Sequence, residues 1–121
     1  MVGYYFDTYA IIELLEGNPL YEFAKGDTII TSTMNLAELY YSLLLENGKD
    51  NADSILEKLN FEFLEITSEI ATSSSFFRFR NKKAKLSYID CVGYNLAKKN
   101  NLLFLTGDKE FESFDNVKFV K

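Results

Sequence analysis

Four carboxylates, Asp7, Glu38, Asp90 and Asp108, hold the positions in this 121-residue chain from which chemistry could be done. Histidine is absent, which removes Ser/His/Asp and Cys/His nucleophilic schemes, paired-imidazole acid/base catalysis and His-containing zinc sites together. Any catalysis must run on carboxylates, hydroxyls, lysine or a metal ion. Each carboxylate also has an ordinary structural reading. Asp7 can cap the helix after it, and Asp90 stands three residues beyond Ser87 in the S-x-x-D spacing of a capping box. Asp108, in Thr106-Gly107-Asp108-Lys109, suits a turn, and Glu38 shares with Asn35, Ser42 and Glu46 a polar strip that reads as a solvated face. Their joint placement is what departs from chance, because each follows, or nearly follows, an expected strand or opens a helix beside one.

Four such groups about 5 Å apart would repel by about 3 kcal/mol per pair at an effective dielectric of roughly 20, on the order of 20 kcal/mol in all. A folded domain has only about 5–15 kcal/mol of net stability. The cluster must therefore spread out, take up protons or bind cations. Oxygen-only ligation favours Mg²⁺ or Mn²⁺, which can activate a water and neutralise charge developing on a phosphodiester.

The elements that would position these groups can be read from periodicity. Val2 to Phe6 is a short apolar run suited to a buried strand, and Tyr9 to Glu16 carries apolar residues at helical spacing. Asn18 and Pro19 restart the chain as another short helix, and β-branched Thr28 to Thr31 favours a second strand. Thr33 can cap a helix to about Gly48, with an apolar stripe of Leu36, Leu39, Tyr40, Leu43 and Leu44; Asp50 or Asn51 can cap the next, to about Leu59. Phe61 to Ile66 alternates apolar and acidic residues as a half-exposed edge strand does. Ser68 to about Lys85 is a helix of mixed quality, Ser87 opens a stronger one to Lys99, and Leu102 to Thr106 reads as a buried parallel strand. Val117 to Val120 adds a last strand. This alternation predicts a three-layer α/β/α sandwich with a mainly parallel central sheet, in which ligands sit at the carboxyl ends of the strands. Asp7 and Asp108 should project from that one edge.

Composition bounds the rest. With 47% hydrophobic residues, one proline, six glycines and no linker-like stretch, residues 1–121 are expected to form one domain. A single cysteine, Cys91, excludes an intramolecular disulfide and is expected as a buried thiol. Neither a basic, signal-like N-terminus nor a membrane-length apolar run is present, so a cytoplasmic location is expected. The net charge of −5 argues against a protein that holds nucleic acid by overall charge. Five of the thirteen basic residues, however, Arg78, Arg80, Lys82, Lys83 and Lys85, fall within eight positions beside Phe76, Phe77 and Phe79. That mixture can track a phosphate backbone and stack a base, or can be a solvated helix face with core aromatics.

Taken together, these pieces resemble the PIN-domain family, particularly its VapC-type toxins, over nearly the whole chain. The resemblance rests on Tyr5-Phe6-Asp7-Thr8, Asn35-Leu36-Ala37-Glu38-Leu39, Leu86-Ser87-Tyr88-Ile89-Asp90 and Leu105-Thr106-Gly107-Asp108-Lys109-Glu110-Phe111 in that order. It implies that Asp7, Glu38, Asp90 and Asp108 correspond to the family's catalytic, metal-binding acids, with the hydroxyls of Thr8 and Thr106 as supporting polar groups. It further implies an endoribonuclease that hydrolyses RNA with Mg²⁺ or Mn²⁺, forms a homodimer and is silenced by a small cognate antitoxin. Eight tyrosines and eleven phenylalanines would serve such interfaces. Tyr9 departs from the pattern, standing where a small hydroxyl residue often follows the Asp-Thr pair, and Cys91 stands where relatives often carry alanine. Two rivals remain open at this point: a haloacid-dehalogenase-like phosphatase with Asp7 as nucleophile, which Tyr9 opposes by replacing its second aspartate, and a PIN-like module that binds RNA or protein without catalysis.

Overall fold

The computed structural model describes residues 3–121; Val2, the expected start of the first strand, lies outside them. Five short strands, β1 (Tyr4–Phe6), β2 (Ile29–Thr31), β3 (Phe61–Phe63), β4 (Leu103–Thr106) and β5 (Val117–Phe119), form one sheet in the order β3-β2-β1-β4-β5. All four strand pairings are parallel, which goes further than the expected mainly parallel sheet. The strand order reverses beside β1, so the switch point lies between β1 and β4, where the crevice outside the strand ends receives ligands in sheets of this kind. Asp7 follows β1 and Asp108 lies two residues past β4.

Side-chain alternation along the central strands builds the three layers. Tyr5 and Phe104 point to one face, which is covered by α4 (Ser68–Arg80) and α5 (Tyr88–Lys99) through Phe77, Tyr94 and Leu96. Phe6 and Leu105 point to the other, covered by α1 (Thr8–Leu15), α2 (Thr33–Asn47) and α3 (Lys49–Glu57) through Ile11, Leu39, Leu43 and Ala52. Each fully buried side chain of this kind contributes roughly 1.5–3 kcal/mol by leaving water. Cys91 is wholly buried in the first of these layers.

Several helix starts differ from expectation for local reasons. Ser32, not Thr33, caps α2, because its extended backbone lets the hydroxyl accept from the Asn35 N–H at 3.2 Å. The α3 helix begins directly after Gly48 with no side-chain cap, so neither Asp50 nor Asn51 performs that role. The α4 helix stops at Arg80 instead of Lys85, the Asn81 amide and backbone N–H both turning back onto the Phe77 carbonyl. Residues 19–24 form a 3-10 helix capped by Asn18. β3 is shorter than the expected Phe61–Ile66 but does lie at the sheet edge.

Candidate active site

The carboxyl ends of β1 and β4 are tied to each other before any ligand is considered. Asp7 is almost completely buried; one carboxylate oxygen accepts the Thr8 backbone N–H at 2.9 Å and the other accepts the Thr106 hydroxyl at 2.7 Å. The same Thr106 oxygen accepts the Asp108 backbone N–H at 3.0 Å. Thr106 therefore links the Asp7 carboxylate to the loop carrying Asp108. Asp108 in turn accepts the Glu110 N–H at 3.0 Å, closing the short turn Lys109–Phe111.

Asp90 reaches this edge from α5. Ser87 and Asp90 form the capping box expected from their spacing: the Ser87 N–H donates to Asp90 at 2.8 Å and the Ser87 hydroxyl accepts the Asp90 N–H at 3.1 Å. One turn further on, Gly93 meets β1, and a Cβ there would stand 2.9 Å from the Tyr5 ring. Glycine at this point lets α5 settle onto the sheet and carries Asp90 to the strand ends.

Glu38 depends on an anchor that sequence reasoning assigned to solvent. Asn35 is fully buried, not part of a solvated face. Its carbonyl oxygen accepts the Tyr5 hydroxyl at 2.6 Å and the Ser32 hydroxyl at 2.8 Å, and its amide donates to Thr8 Oγ1 at 3.0 Å. Every strong hydrogen-bonding group in this knot has a partner, which is the condition under which a buried polar network orients structure. Glu38, three residues along α2, follows on an adjoining part of the helix surface. The signal for Asn35 was present, since Asn35, Leu39 and Leu43 recur at four-residue intervals and all are buried.

The four acids line one cavity of about 380 Å³, together with Thr8, Tyr9 and Tyr41. Among the described residues no three acidic or thiol side chains converge closely enough to encage an ion. The repulsion anticipated above is thus relieved in two ways: the acids are spread round a cavity, and two of them hold their protons more tightly. Burial pushes the Asp7 carboxyl up from 3.8 to about 7, against the Thr106 and Thr8 hydrogen bonds, and the charges of Asp90 and Glu38 push it further. Burial also raises Asp90, with Asp108 and Glu38 adding to it and the Ser87 bonds opposing. Helix N-termini at Asp7 and Asp90 supply compensating positive potential. The capping and functional readings of these residues are therefore compatible, because a carboxylate at an N-cap is already held in place at a helix mouth.

The donor set fits a hard divalent cation: it is all oxygen, anionic and open to water. An ion there would take one or two carboxylates directly and meet the others through its waters, as Mg²⁺ commonly does. Asp7, Glu38, Asp90 and Asp108 are the groups that would hold it.

Gly107 closes the other side of the site. A Cβ at this position would lie 2.3 Å from the Tyr9 ring and 2.4 Å from the Val120 carbonyl oxygen. We predict that Gly107→Ala costs at least roughly 1–3 kcal/mol by overpacking against a backbone atom that cannot swing away, read as a lowered urea midpoint. An unchanged midpoint would mean that the loop after β4 is free to shift.

The basic segment runs from the end of α4 to the start of α5, and the structure divides it. Phe77 belongs to the core, whereas Phe76 and Phe79 are 58% and 64% exposed, so the solvated-face reading with core aromatics holds for Phe77 alone. Among the described residues Arg78, Arg80, Lys82, Lys83 and Lys85 form no ion pair; the salt bridges use Lys25, Lys49, Lys98 and Lys99. The Lys85 backbone N–H donates to Glu110 at 3.0 Å, tethering the end of this segment to the turn after Asp108.

Comparison with known proteins identifies the family and the fold. The model of the PIN domain family matches residues 4–117, and the chain belongs to that family. No curated protein matches by sequence. Among solved structures, the chain is similar to a protein of a toxin-antitoxin complex from Klebsiella pneumoniae, at 21% identity and a TM-score of 0.71 over 96% of this chain and 95% of the other. VapBC2 from Rickettsia felis, bound to a DNA fragment from its promoter, aligns at 20% identity and 0.72 over 99% and 98%. The Mycobacterium tuberculosis toxin VapC20, which cleaves the sarcin-ricin loop, aligns at 17% identity and 0.71 over 96% and 99%. At these identities the likeness is one of fold.

Proposed function

We propose that this chain is a metal-dependent endoribonuclease and the toxin of a VapBC-type toxin-antitoxin pair, residues 1–121 acting as one catalytic unit. The observation that carries the reading is the single cavity at the β1/β4 switch point, lined by Asp7, Glu38, Asp90 and Asp108. Mg²⁺ or Mn²⁺ bound there would supply an activated water and charge neutralisation for a phosphodiester. The residues of the chain do the remaining work. Thr106 and the Thr8 N–H hold the Asp7 carboxylate in one orientation, Ser87 does so for Asp90, and the Glu110 N–H for Asp108. Asp7, poised near neutrality, is suited to exchange its proton for a cation or to accept one from the attacking water.

The unpaired cations from Arg78 to Lys85 give RNA a local attraction that the net charge of −5 lacks. The toxin-antitoxin complexes among its structural neighbours support a small antitoxin as partner. Exposed Leu15, Tyr41, Leu45 and Met34 provide apolar surface for that partner or for a second copy of the chain. No helix among the described residues is long and apolar enough to cross a membrane, and a cytoplasmic site of action is part of the proposal.

The test is to offer the purified protein a mixed pool of structured and unstructured RNAs and, separately, a phosphate monoester, each with Mg²⁺, Mn²⁺ or EDTA. Cleavage of RNA alone, and only with a divalent ion, is expected. Turnover of the monoester would favour the phosphatase reading, and ion binding without either reaction would favour a non-catalytic module.

A further inference from the structure

A second cavity, of about 320 Å³, opens between the end of α4 and the start of α5, lined by Arg78, Phe79, Lys82, Ala84, Leu86 and Tyr88. Its volume is at the lower end of the roughly 300–1,000 Å³ typical of small-ligand pockets. Its chemistry is unlike that of the acidic site: two cations, two exposed aromatic rings and an aliphatic floor, with no carboxylate in the lining. The cations are already laid against rings. The Arg78 guanidinium carbon lies 4.5 Å from the Tyr88 ring centre and the Lys82 ammonium 5.0 Å from that of Phe79.

Arg78 is further fixed by donating its Nε–H to the Leu86 carbonyl at 2.9 Å, which leaves its terminal nitrogens free to meet an anion. Tyr88, the first residue of α5, is 60% exposed, so its ring is open to a ligand. It also stands two residues before Asp90, about 3 Å along the helix axis at 1.5 Å per residue. The cavity and the acidic one thus lie at the same end of α5 but on different sides of it, since helical residues two apart face away from each other and the two linings share no residue.

We propose that this cavity is a nucleotide subsite: it takes one unpaired nucleotide of an RNA strand that passes the N-terminal end of α5 on its way to the acids, with the base against Tyr88 and Phe79 and its phosphate against Arg78 and Lys82. The proposal rests on the nuclease reading of the acidic cavity and adds a requirement to it. Stacking on aromatic rings needs a base whose face is free, and in a duplex both faces are covered by neighbours. Occupancy of the subsite therefore requires an unpaired nucleotide, and by stacking it takes one without reading a particular base.

Binding measured without a divalent ion separates this subsite from the chemistry beside it. A short single-stranded RNA carrying 2-aminopurine is titrated in EDTA with wild-type, Tyr88→Ala and Tyr88→Phe proteins, following affinity by anisotropy and stacking by fluorescence quenching. Tyr88→Ala is expected to bind about 5- to 150-fold more weakly, the range of one lost base stack, and to lose the quench, while Tyr88→Phe keeps both. A duplex of the same sequence should bind all three proteins equally. Wild-type affinity and quenching in Tyr88→Ala would overturn the subsite, and so would an equal loss on single strand and duplex. Neither result touches the nuclease reading, which is decided by cleavage with a divalent ion.

Discussion

At pH 8, in the absence of divalent ions, the Asp7→Asn protein is expected to melt higher than the wild type. The folded chain holds the Asp7 carboxyl at about 7 against an ordinary value of 3.8. The native state therefore binds a proton that the unfolded chain has released over the interval between those values. Stability is full below about pH 4 and is eroded as pH rises through 7, by about 1.4 kcal/mol per unit, or about 4 kcal/mol in total for so deeply buried a group. Asparagine removes that charge and, with its amide turned to the Thr106 oxygen, loses about one hydrogen bond worth roughly 1 kcal/mol. A net gain of about 2–3 kcal/mol remains, some 5–15 °C for a chain of this size. Melting curves of EDTA-treated wild type at pH 5 and pH 8 should differ by a similar margin, and the variant should flatten that difference. An Asp7→Asn protein that melts lower than wild type at pH 8 would show that the acids do not strain the fold. The same substitution removes a group proposed to hold the ion, so stability and activity should move in opposite directions.

Asn35→Ala should act in the reverse sense, through structure. Truncation leaves the Tyr5 and Ser32 hydroxyls without their shared acceptor and the Thr8 hydroxyl without its donor, all within buried surroundings. At roughly 1–3 kcal/mol for each buried group left unpaired, the loss should be about 3–5 kcal/mol, visible as a large drop in urea midpoint. Asn35→Asp should not rescue it, because a buried carboxylate cannot donate to Thr8 and adds a fifth negative charge beside the acidic cavity. If Asn35→Ala unfolds within about 1 kcal/mol of the wild type, the knot is not what fixes α2 against β1.

Much of this arrangement was legible because it is written in local patterns. The runs ending at Phe6 and Thr106 became adjacent parallel strands, and Ser87 with Asp90 formed the box their spacing promised. The order of strands was not legible, since it depends on which helix covers which face, and neither was the exchange of Thr33 for Ser32 as a cap, which turns on one backbone angle. Asn35 reads as solvated when polarity is weighed above register: it stands in phase with the buried Leu39 and Leu43 at the end of α2 that packs on the sheet. The basic segment was ambiguous for a related reason. Phe76, Phe77 and Phe79 look equivalent in sequence, and only the direction of α4 across the sheet separates the core ring from the exposed ones.

The most direct test of the account is the cleavage of a mixed RNA pool by wild-type and Asp7→Asn proteins side by side across a Mn²⁺ titration, with folding of both verified by melting. Cleavage that rises with Mn²⁺, disappears in EDTA and falls by about a thousandfold in the more stable variant, the scale of losing one charge-stabilising group, is the predicted result. Equal cleavage by the two proteins, or none by folded wild type at any Mn²⁺ concentration, would contradict it.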